Sequence, residues 1–337
     1  MIIVFKRNST KEQVAHVVEK IEELNLTPVL AKGTLKTVIA VIGDEGRIRE
    51  APLQTFPGVE SVMPVMKKYK IISREGHEND TAVQMGEGVV IGAGHFSVVS
   101  GPCAVESREQ LFSIARSVKE LGAVAVRGGA FKPRTSPYSF QGLGEEGLKY
   151  LAEVREELHT PVVTEVMDTR DVELVAKYAD VLQVGARNMQ NFSLLKELGG
   201  CGKPVILKRG MACTVEDLLL SAEYIAASGN LNIILCERGI RTFETSVRNS
   251  LDVSSIPVLK SLTHLPVIVD PSHAAGTWEY VEPLALAAVA AGADGIIVEV
   301  HNKPEEALSD GPQALLPKVF SRLMKKMLAI REIVHPE

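Results

Sequence analysis

Val124-Ala125-Val126-Arg127-Gly128-Gly129-Ala130-Phe131-Lys132-Pro133-Arg134-Thr135-Ser136-Pro137-Tyr138-Ser139-Phe140-Gln141-Gly142-Leu143-Gly144 decides how the rest of the chain is read. Its first three residues are an apolar run of strand type, and a helical pattern begins near Glu145 just after it. Strand, irregular loop and helix in that order make a βα unit, with the loop at the end where such units deliver side chains. The glycines and prolines fix an irregular backbone. Arg127, Lys132 and Arg134 stand close together beside the Thr135 and Ser136 hydroxyls. Guanidinium forks of this kind suit phosphate and carboxylate oxygens, because their donation is planar and bidentate. A solvated basic loop would carry Lys, Glu and Ser between its charges. Here Phe131, Tyr138 and Phe140 fill those places, which favours a binding loop.

Working outward, the same unit repeats. Strand-like runs recur at Phe96–Ser100, Val124–Val126, Pro161–Glu165, Val181–Val184, Pro204–Leu207, Asn232–Leu235, Leu265–Val269 and Gly295–Val300. Helical stretches lie between most of them: Arg108–Leu121, Gly147–His159, Asp168–Tyr178, Val215–Ser228 and Glu279–Ala291. The connection Arg241–Thr263 fits worst, because Asp252–Pro257 interrupts it. The alternation predicts an α/β fold, a (β/α)8 TIM barrel. A doubly wound open sheet is the alternative, but no Gly-x-Gly-x-x-Gly follows the first strand. A barrel also requires unusual polar residues just past each strand, and they are there. Cys103 follows the first, Arg127 and Lys132 the second, Glu165 ends the third and Arg187 follows the fourth. Lys208 and Arg209 follow the fifth, Glu237 and Arg238 the sixth, and Asp270 and His273 the seventh. Glu299 and His301 end the eighth, with Asp310 in the loop beyond.

Residues 1–66 read as a separate small α+β domain. Strands at Ile2–Phe5, Thr27–Leu30, Thr37–Ile42 and Val59–Val65, a helix capped by Ser9 or Thr10, and a weak helix at Glu45–Thr55 give βαββαβ, the ferredoxin-like order. His16 lies in the helical stretch with no partner for catalysis nearby. Residues 67–80 are charged and read as a linker. Residues 81–337 then form the barrel, entered through a hairpin around Gly86-Glu87-Gly88.

The 337 residues are 45% hydrophobic and 23% charged, with a net charge of −5. An acidic balance speaks against a nucleic-acid surface, so the cations must act locally. No apolar run approaches the roughly 20 residues that span a bilayer. The start, Met1-Ile2-Ile3-Val4-Phe5-Lys6, has no charged leader and long apolar core, and a cytoplasmic location is expected. Cysteines 103, 201, 213 and 236 have no paired spacing for zinc or disulfides. The last three, with Trp278 and the methionines, read as packing.

Arg127, Lys132, Arg134, Arg187, Lys208 and Arg238 would converge on one barrel mouth. So many cations repel one another in a low-dielectric cleft, so the substrates should carry several phosphates or carboxylates. Gly185-Ala186-Arg187 adds backbone N–H groups for phosphate oxygens. Cys103, His273, Glu299 and Asp310 form a mixed sulfur, nitrogen and oxygen set suited to a divalent transition metal; Mn²⁺, Fe²⁺ and Zn²⁺ all fit.

Six motifs carry a resemblance. Gly101-Pro102-Cys103, the loop Lys132–Gly142, Gly185-Ala186-Arg187-Asn188, Leu207-Lys208-Arg209-Gly210, Cys236-Glu237-Arg238-Gly239 and Asp270-Pro271-Ser272-His273 resemble 3-deoxy-D-arabino-heptulosonate-7-phosphate (DAHP) synthase. The likeness is to the bacterial subgroup with a short N-terminal ferredoxin-like domain, and it covers essentially the whole chain. It implies a metal-dependent, aldol-type condensation of phosphoenolpyruvate with erythrose 4-phosphate that releases phosphate, the first step of the shikimate pathway. By resemblance, Arg127, Lys132, Ala186, Arg187, Lys208 and Arg238 bind phosphoenolpyruvate, and Arg134 with Thr135 holds the acceptor phosphate. Cys103, His273, Glu299 and Asp310 match the metal ligands. Lys132 is a candidate proton donor, and Glu165 and Glu237 are candidates for handling water. The resemblance also implies a homo-oligomer, a tetramer. By analogy with other βαββαβ domains, residues 1–66 are expected to regulate, with an aromatic amino acid as effector; the alternative is a domain that only covers apolar barrel surface or aids oligomerisation. Two alternatives are 3-deoxy-D-manno-octulosonate-8-phosphate synthase, which takes arabinose 5-phosphate, and a catalytically silent metabolite sensor. The first typically has Asn where this chain has Pro133, whose ring offers no donor to an extra sugar hydroxyl; the second would be expected to lose a ligand.

Overall fold

A computed structural model describes residues 1–32, 37–42, 53–63, 68–75, 77–134 and 136–334. They fall into two compact units, Met1–Glu78 and Asn79–Glu337.

In the first unit, β1 (Ile2–Phe5) is followed by α1 (Lys11–Glu23), β2 (Thr27–Lys32), β3 (Thr37–Ile42) and β4 (Val59–Met63). The strands pair antiparallel in the order β2-β3-β1-β4. Thr10 begins α1 through a capping box with Gln13, each side chain reaching the other's backbone. Val17 and Ile21, four apart, turn one face of that helix onto Ile3, Phe5, Ile39 and Leu53. Most of the helix expected at Glu45–Thr55 lies outside the described residues; Leu53–Thr55 is a single 3-10 turn. His16 stacks on Phe56 at 5.3 Å, so it has a packing partner after all. The stretch read as a charged linker contains buried Tyr69, Ile71, Ile72 and Ser73. Its alternating charges hid those apolar anchors.

In the second unit, a hairpin of β5 (Val83–Gly86) and β6 (Val89–Ile91) leads into the barrel. The barrel elements are β7 (Ser97–Gly101), α2 (Arg108–Glu120), β8 (Ala125–Arg127), α3 (Glu145–Leu158), β9 (Val162–Val166), α4 (Val172–Tyr178), β10 (Val181–Val184) and α5 (Phe192–Gly200). They continue with β11 (Val205–Lys208), α6 (Val215–Ala227), β12 (Ile233–Glu237), α7 (Ser255–Leu262), β13 (Val267–Val269), α8 (Pro271–Ala275), α9 (Trp278–Ala290), β14 (Gly295–Glu299) and α10 (Pro317–Val334). Strands β7 to β14 pair parallel and close, β14 bonding to β7 with Gly295 opposite Ser97 and Glu299 opposite Gly101.

Alternation along the strands sends Val99, Ala125, Val163, Val181, Ile206, Ile234, Ile268 and Ile297 into one interior cluster, which Val83, Met85 and Ile91 of the hairpin join. The Ser97 hydroxyl donates to Val90 O, and Gly86 abuts Pro161 just ahead of β9. The hairpin thus stoppers the end where the strands begin. The other end is left for chemistry. Between β12 and β13 the chain runs irregularly to Ser255, with an isolated Ile240–Ser250 bridge within it, and α7 is short. Trp278 is 47% exposed at the start of α9 and is not a core anchor.

Candidate active site

The strand ends surround a cavity of about 350 Å³ whose lining includes eight Lys and Arg side chains. Arg127, Lys132, Arg134, Arg187, Lys208 and Arg238 all reach it, as do Glu165, Gly185 and Ala186. Thr135 lies outside the described residues.

The cations differ in their partners. Arg127 Nη1 donates to Glu299 Oε1 at 2.7 Å, and Lys208 pairs with Asp270. Burial works against the Arg127 charge, but Glu299 outweighs it and raises the guanidinium above its ordinary value. Lys132 Nζ lies 3.0 Å from Cys103 Sγ and 3.2 Å from Cys103 O. Arg134, Arg187 and Arg238 have no carboxylate within salt-bridge distance among the described residues. Arg134 donates to the Ser309 hydroxyl, Arg187 to Pro133 O at 3.4 Å, and Arg238 to Gly239 O and His273 O at 3.3 Å. Burial lowers the Arg238 pKa. Three guanidiniums bonded to neutral oxygens, Arg238 buried and Arg187 exposed at the rim, make a site for anions.

Beside them sits the mixed donor set. Cys103 Sγ, a Glu299 oxygen and an Asp310 oxygen lie within 4.8 Å of one another. His273 Nε2 is 3.6 Å from Glu299 Oε1 and 3.9 Å from Asp310 Oδ2. His273 Nδ1 lies 2.7 Å from Asp270 Oδ2. Burial would raise the Asp270 pKa, yet His273 and Lys208 hold it well below the carboxylate range, so this oxygen is an acceptor. Nδ1 therefore donates to Asp270 and leaves Nε2 as the ring nitrogen on the cluster side, the orientation a metal-ligating histidine needs. Burial, aided by the Glu299 charge, pushes the Cys103 thiol up to about 12. Burial would also raise Asp310, but Arg248 and His273 bring it down to about 2. Sulfur, imidazole nitrogen and two ionised carboxylates fit a divalent transition metal in donor type and spacing.

Glu165 reaches the cavity because Gly185 opposite has no side chain; a Cβ there would lie 2.1 Å from Glu165 Oε1. Glu237 does not reach it. Its carboxylate is fully buried and takes Arg209 Nη1 at 2.9 Å, Gly239 N at 2.6 Å and the Ser255 hydroxyl at 3.4 Å. Those bonds reach both oxygens and hold the Glu237 carboxylate away from the cavity. Arg209 is likewise turned away, bridging Glu237 and Asp252. The sequence reading missed Arg241, Arg248 and Asn249, which line the cavity from the β12–α7 connection. Their signal was two arginines in the one connection without a helical period. It also missed Ser309, which lies against Cys103 Sγ at 3.4 Å.

Comparison with known proteins decides the family. The sequence profile of the "DAHP synthetase I family" matches residues 78–335. The chain belongs to that family. The profile of the "DAHP synthase ferredoxin-like domain" matches residues 1–67. A phospho-2-dehydro-3-deoxyheptonate aldolase of Thermotoga maritima is 52% identical over 97% of this chain and 96% of its own length. A crystal structure of a Thermotoga maritima protein of that name, also called DAHP synthase, aligns with a TM-score of 0.78 at 50% identity, covering 99% of this chain and 97% of that one. Members named 2-dehydro-3-deoxyphosphooctonate aldolase are more distant: that of Syntrophobacter fumaroxidans is 36% identical over 74% of this chain and 91% of its own. No helix among the described residues is long and apolar enough to cross a membrane.

Proposed function

We infer that the chain is a DAHP synthase, condensing phosphoenolpyruvate with erythrose 4-phosphate and releasing phosphate. The observation that carries the reading is one cavity where Arg134, Arg187 and Arg238, without acidic partners among the described residues, stand next to the Cys103–Glu299–Asp310 cluster and His273. Arg187, Lys208 and Arg238, with Arg127, Lys132 and the Ala186 N–H, hold the phosphate and carboxylate of phosphoenolpyruvate. Arg134 and Thr135 hold the acceptor phosphate, which places its aldehyde toward Cys103, His273, Glu299 and Asp310. A divalent metal there supplies Lewis-acid polarisation of the aldehyde. Carbon C3 of phosphoenolpyruvate forms the new bond to the aldehyde carbon, water adds at C2, and phosphate leaves with its C–O bond broken. Lys132, charged and buried beside the cluster, delivers the proton that the new hydroxyl needs. Glu165 orients the water.

Pro133 lines the cavity and offers no donor to a longer sugar, which favours the four-carbon acceptor over arabinose 5-phosphate. Supplying each aldose phosphate with phosphoenolpyruvate, with and without Mn²⁺, Fe²⁺ or Zn²⁺, and measuring phosphate release tests the reading. Release with erythrose 4-phosphate and a metal supports it. Equal release with arabinose 5-phosphate, or undiminished turnover in chelator, defeats it. Residues 1–66, matched by the ferredoxin-like domain profile, serve as the regulatory domain, taking an aromatic amino acid. The assembly is a homo-oligomer in the cytoplasm, a tetramer by resemblance.

A further inference from the structure

We propose that Arg248 and Gln313 are positioning residues for the metal centre, holding the outer oxygens of Asp310 and Glu299 so that the inner oxygens face Cys103 and His273. The proposal rests on the metal-site reading above. Asp310 Oδ1 accepts from Arg248 Nη1 at 3.2 Å, while Oδ2 lies 3.3 Å from Cys103 Sγ. Glu299 Oε2 accepts from Gln313 Nε2 at 2.8 Å, while Oε1 is the oxygen nearest His273 Nε2. The same Arg248 Nη1 also donates to Gln313 Oε1 at 2.8 Å. An unbroken chain therefore runs Asp310–Arg248–Gln313–Glu299.

Without these bonds the Asp310 carboxylate could present either oxygen, or both, to an ion, and Glu299 would be held on Oε1 by Arg127 with Oε2 unanchored. A bond on one oxygen removes that freedom, and fixing ligands this way is what a supporting shell does for a metal site. Glutamine suits the middle of the chain because its amide has one acceptor and one donor end. Flipped, it would set its NH₂ against Arg248 and its oxygen against a carboxylate. Gln313 is buried, so neither mismatch could be relieved by solvent.

Arg248 is itself fixed by the element that carries His273. The N–H groups of Arg248 and Asn249 donate to Ala275 O and Ala274 O at 3.2 and 2.9 Å, and Asn249 Nδ2 donates to His273 O at 2.9 Å. Gly276, at φ 75°, leaves room for the Arg248 stem; a Cβ there would lie 2.5 Å from Arg248 Cβ. The brace therefore joins the positions of His273, Glu299 and Asp310, three ligands from three segments. Its competitor is a substrate role for Arg248, whose side chain is 40% exposed at the cavity.

The test is Co²⁺ titration of full-length protein stripped by chelator, following the thiolate-to-metal absorption band, with Michaelis constants measured alongside. Arg248→Gln and Gln313→Ala should each weaken Co²⁺ binding by about 10- to 100-fold. Arg248→Lys, which keeps the charge on Asp310, should recover part of the loss. Unchanged Co²⁺ affinity in both Arg248→Gln and Gln313→Ala overturns the brace. So does a raised substrate KM in Arg248→Gln with Co²⁺ affinity intact. If Gln313→Ala fails to fold, Arg248→Gln alone decides, since its side chain is partly in solvent. A wild-type protein without the band, or Cys103→Ala binding as tightly as wild type, overturns the metal-site reading itself and the brace with it.

Discussion

Glu165 and Glu237 carry the same group near the ends of two barrel strands, and they do opposite work. Glu237 faces Arg209 with no solvent contact, so Glu237→Gln removes one partner of a buried pair, which typically costs about 3–5 kcal/mol. Urea unfolding should show that loss as a lower midpoint. Glu165 lines the cavity and accepts only a 3.3 Å bond from Gln183, so Glu165→Gln should lower kcat while leaving the midpoint close to wild type. A stable Glu237→Gln protein would return Glu237 to the list of reacting groups. The sequence named both residues but could not sort them. Neighbours on a strand point to opposite faces, so of Lys208 and Arg209, or Glu237 and Arg238, one must turn outward. Which one does is settled by partners elsewhere in the chain, Asp252 and Ser255 here. Cys103, His273, Glu299 and Asp310 are scattered in sequence, and only the barrel mapping put them on one face; donor atoms of Cys103, Glu299 and Asp310 lie within 4.8 Å of one another.

At the scale of elements, the eight strands were readable to within about two residues, because each is a buried run followed by a polar break. The β12–α7 connection was not. It has no period to read, and its shape comes from distant backbone bonds such as Arg241 N to Met211 O at 2.7 Å. The hairpin was visible as an element, but its task at the far end of the barrel was not. That task gives a prediction. Met85 is fully buried in the interior cluster, so Met85→Ala should cost about 2–5 kcal/mol in denaturant unfolding. Both substrate KM values should stay near wild type, because the cavity lies at the opposite end. A rise in either KM without loss of stability would mean that the two ends are coupled.

For the whole molecule, charge is divided unevenly. The chain carries a net −5, yet the mouth gathers eight Lys and Arg side chains against Glu165 and Asp310. Such a cleft draws anions from a distance, and salt screens that pull, with a Debye length of about 30 Å at 0.01 M falling to about 8 Å at 0.15 M. kcat/KM for phosphoenolpyruvate should therefore fall as KCl rises over that range; a flat profile would confine the cations to short-range contact. The first unit gives the other prediction at this scale. Protein beginning at Asn79 should keep turnover and lose inhibition by tyrosine or phenylalanine. A truncated form of the Thermotoga maritima enzyme, whose solved structure covers 79% of this chain at a TM-score of 0.74, shows that a shortened relative folds. Inhibition that survives truncation would move the effector site to the barrel.

The pairing of β14 with β7 has a consequence for how the protein is made. Cys103 stands just past one side of that seam, while Glu299 and Asp310 stand on the other, and His273 precedes them by a single strand. Three of the four donors leave the ribosome long after the first, and no arrangement short of the joined seam brings them together. On the metal-site reading, an ion held by all four donors would wait for the barrel to close and would then clasp the join. If it bound the closed form alone, each tenfold excess over its dissociation constant would add about 1.4 kcal/mol against reopening.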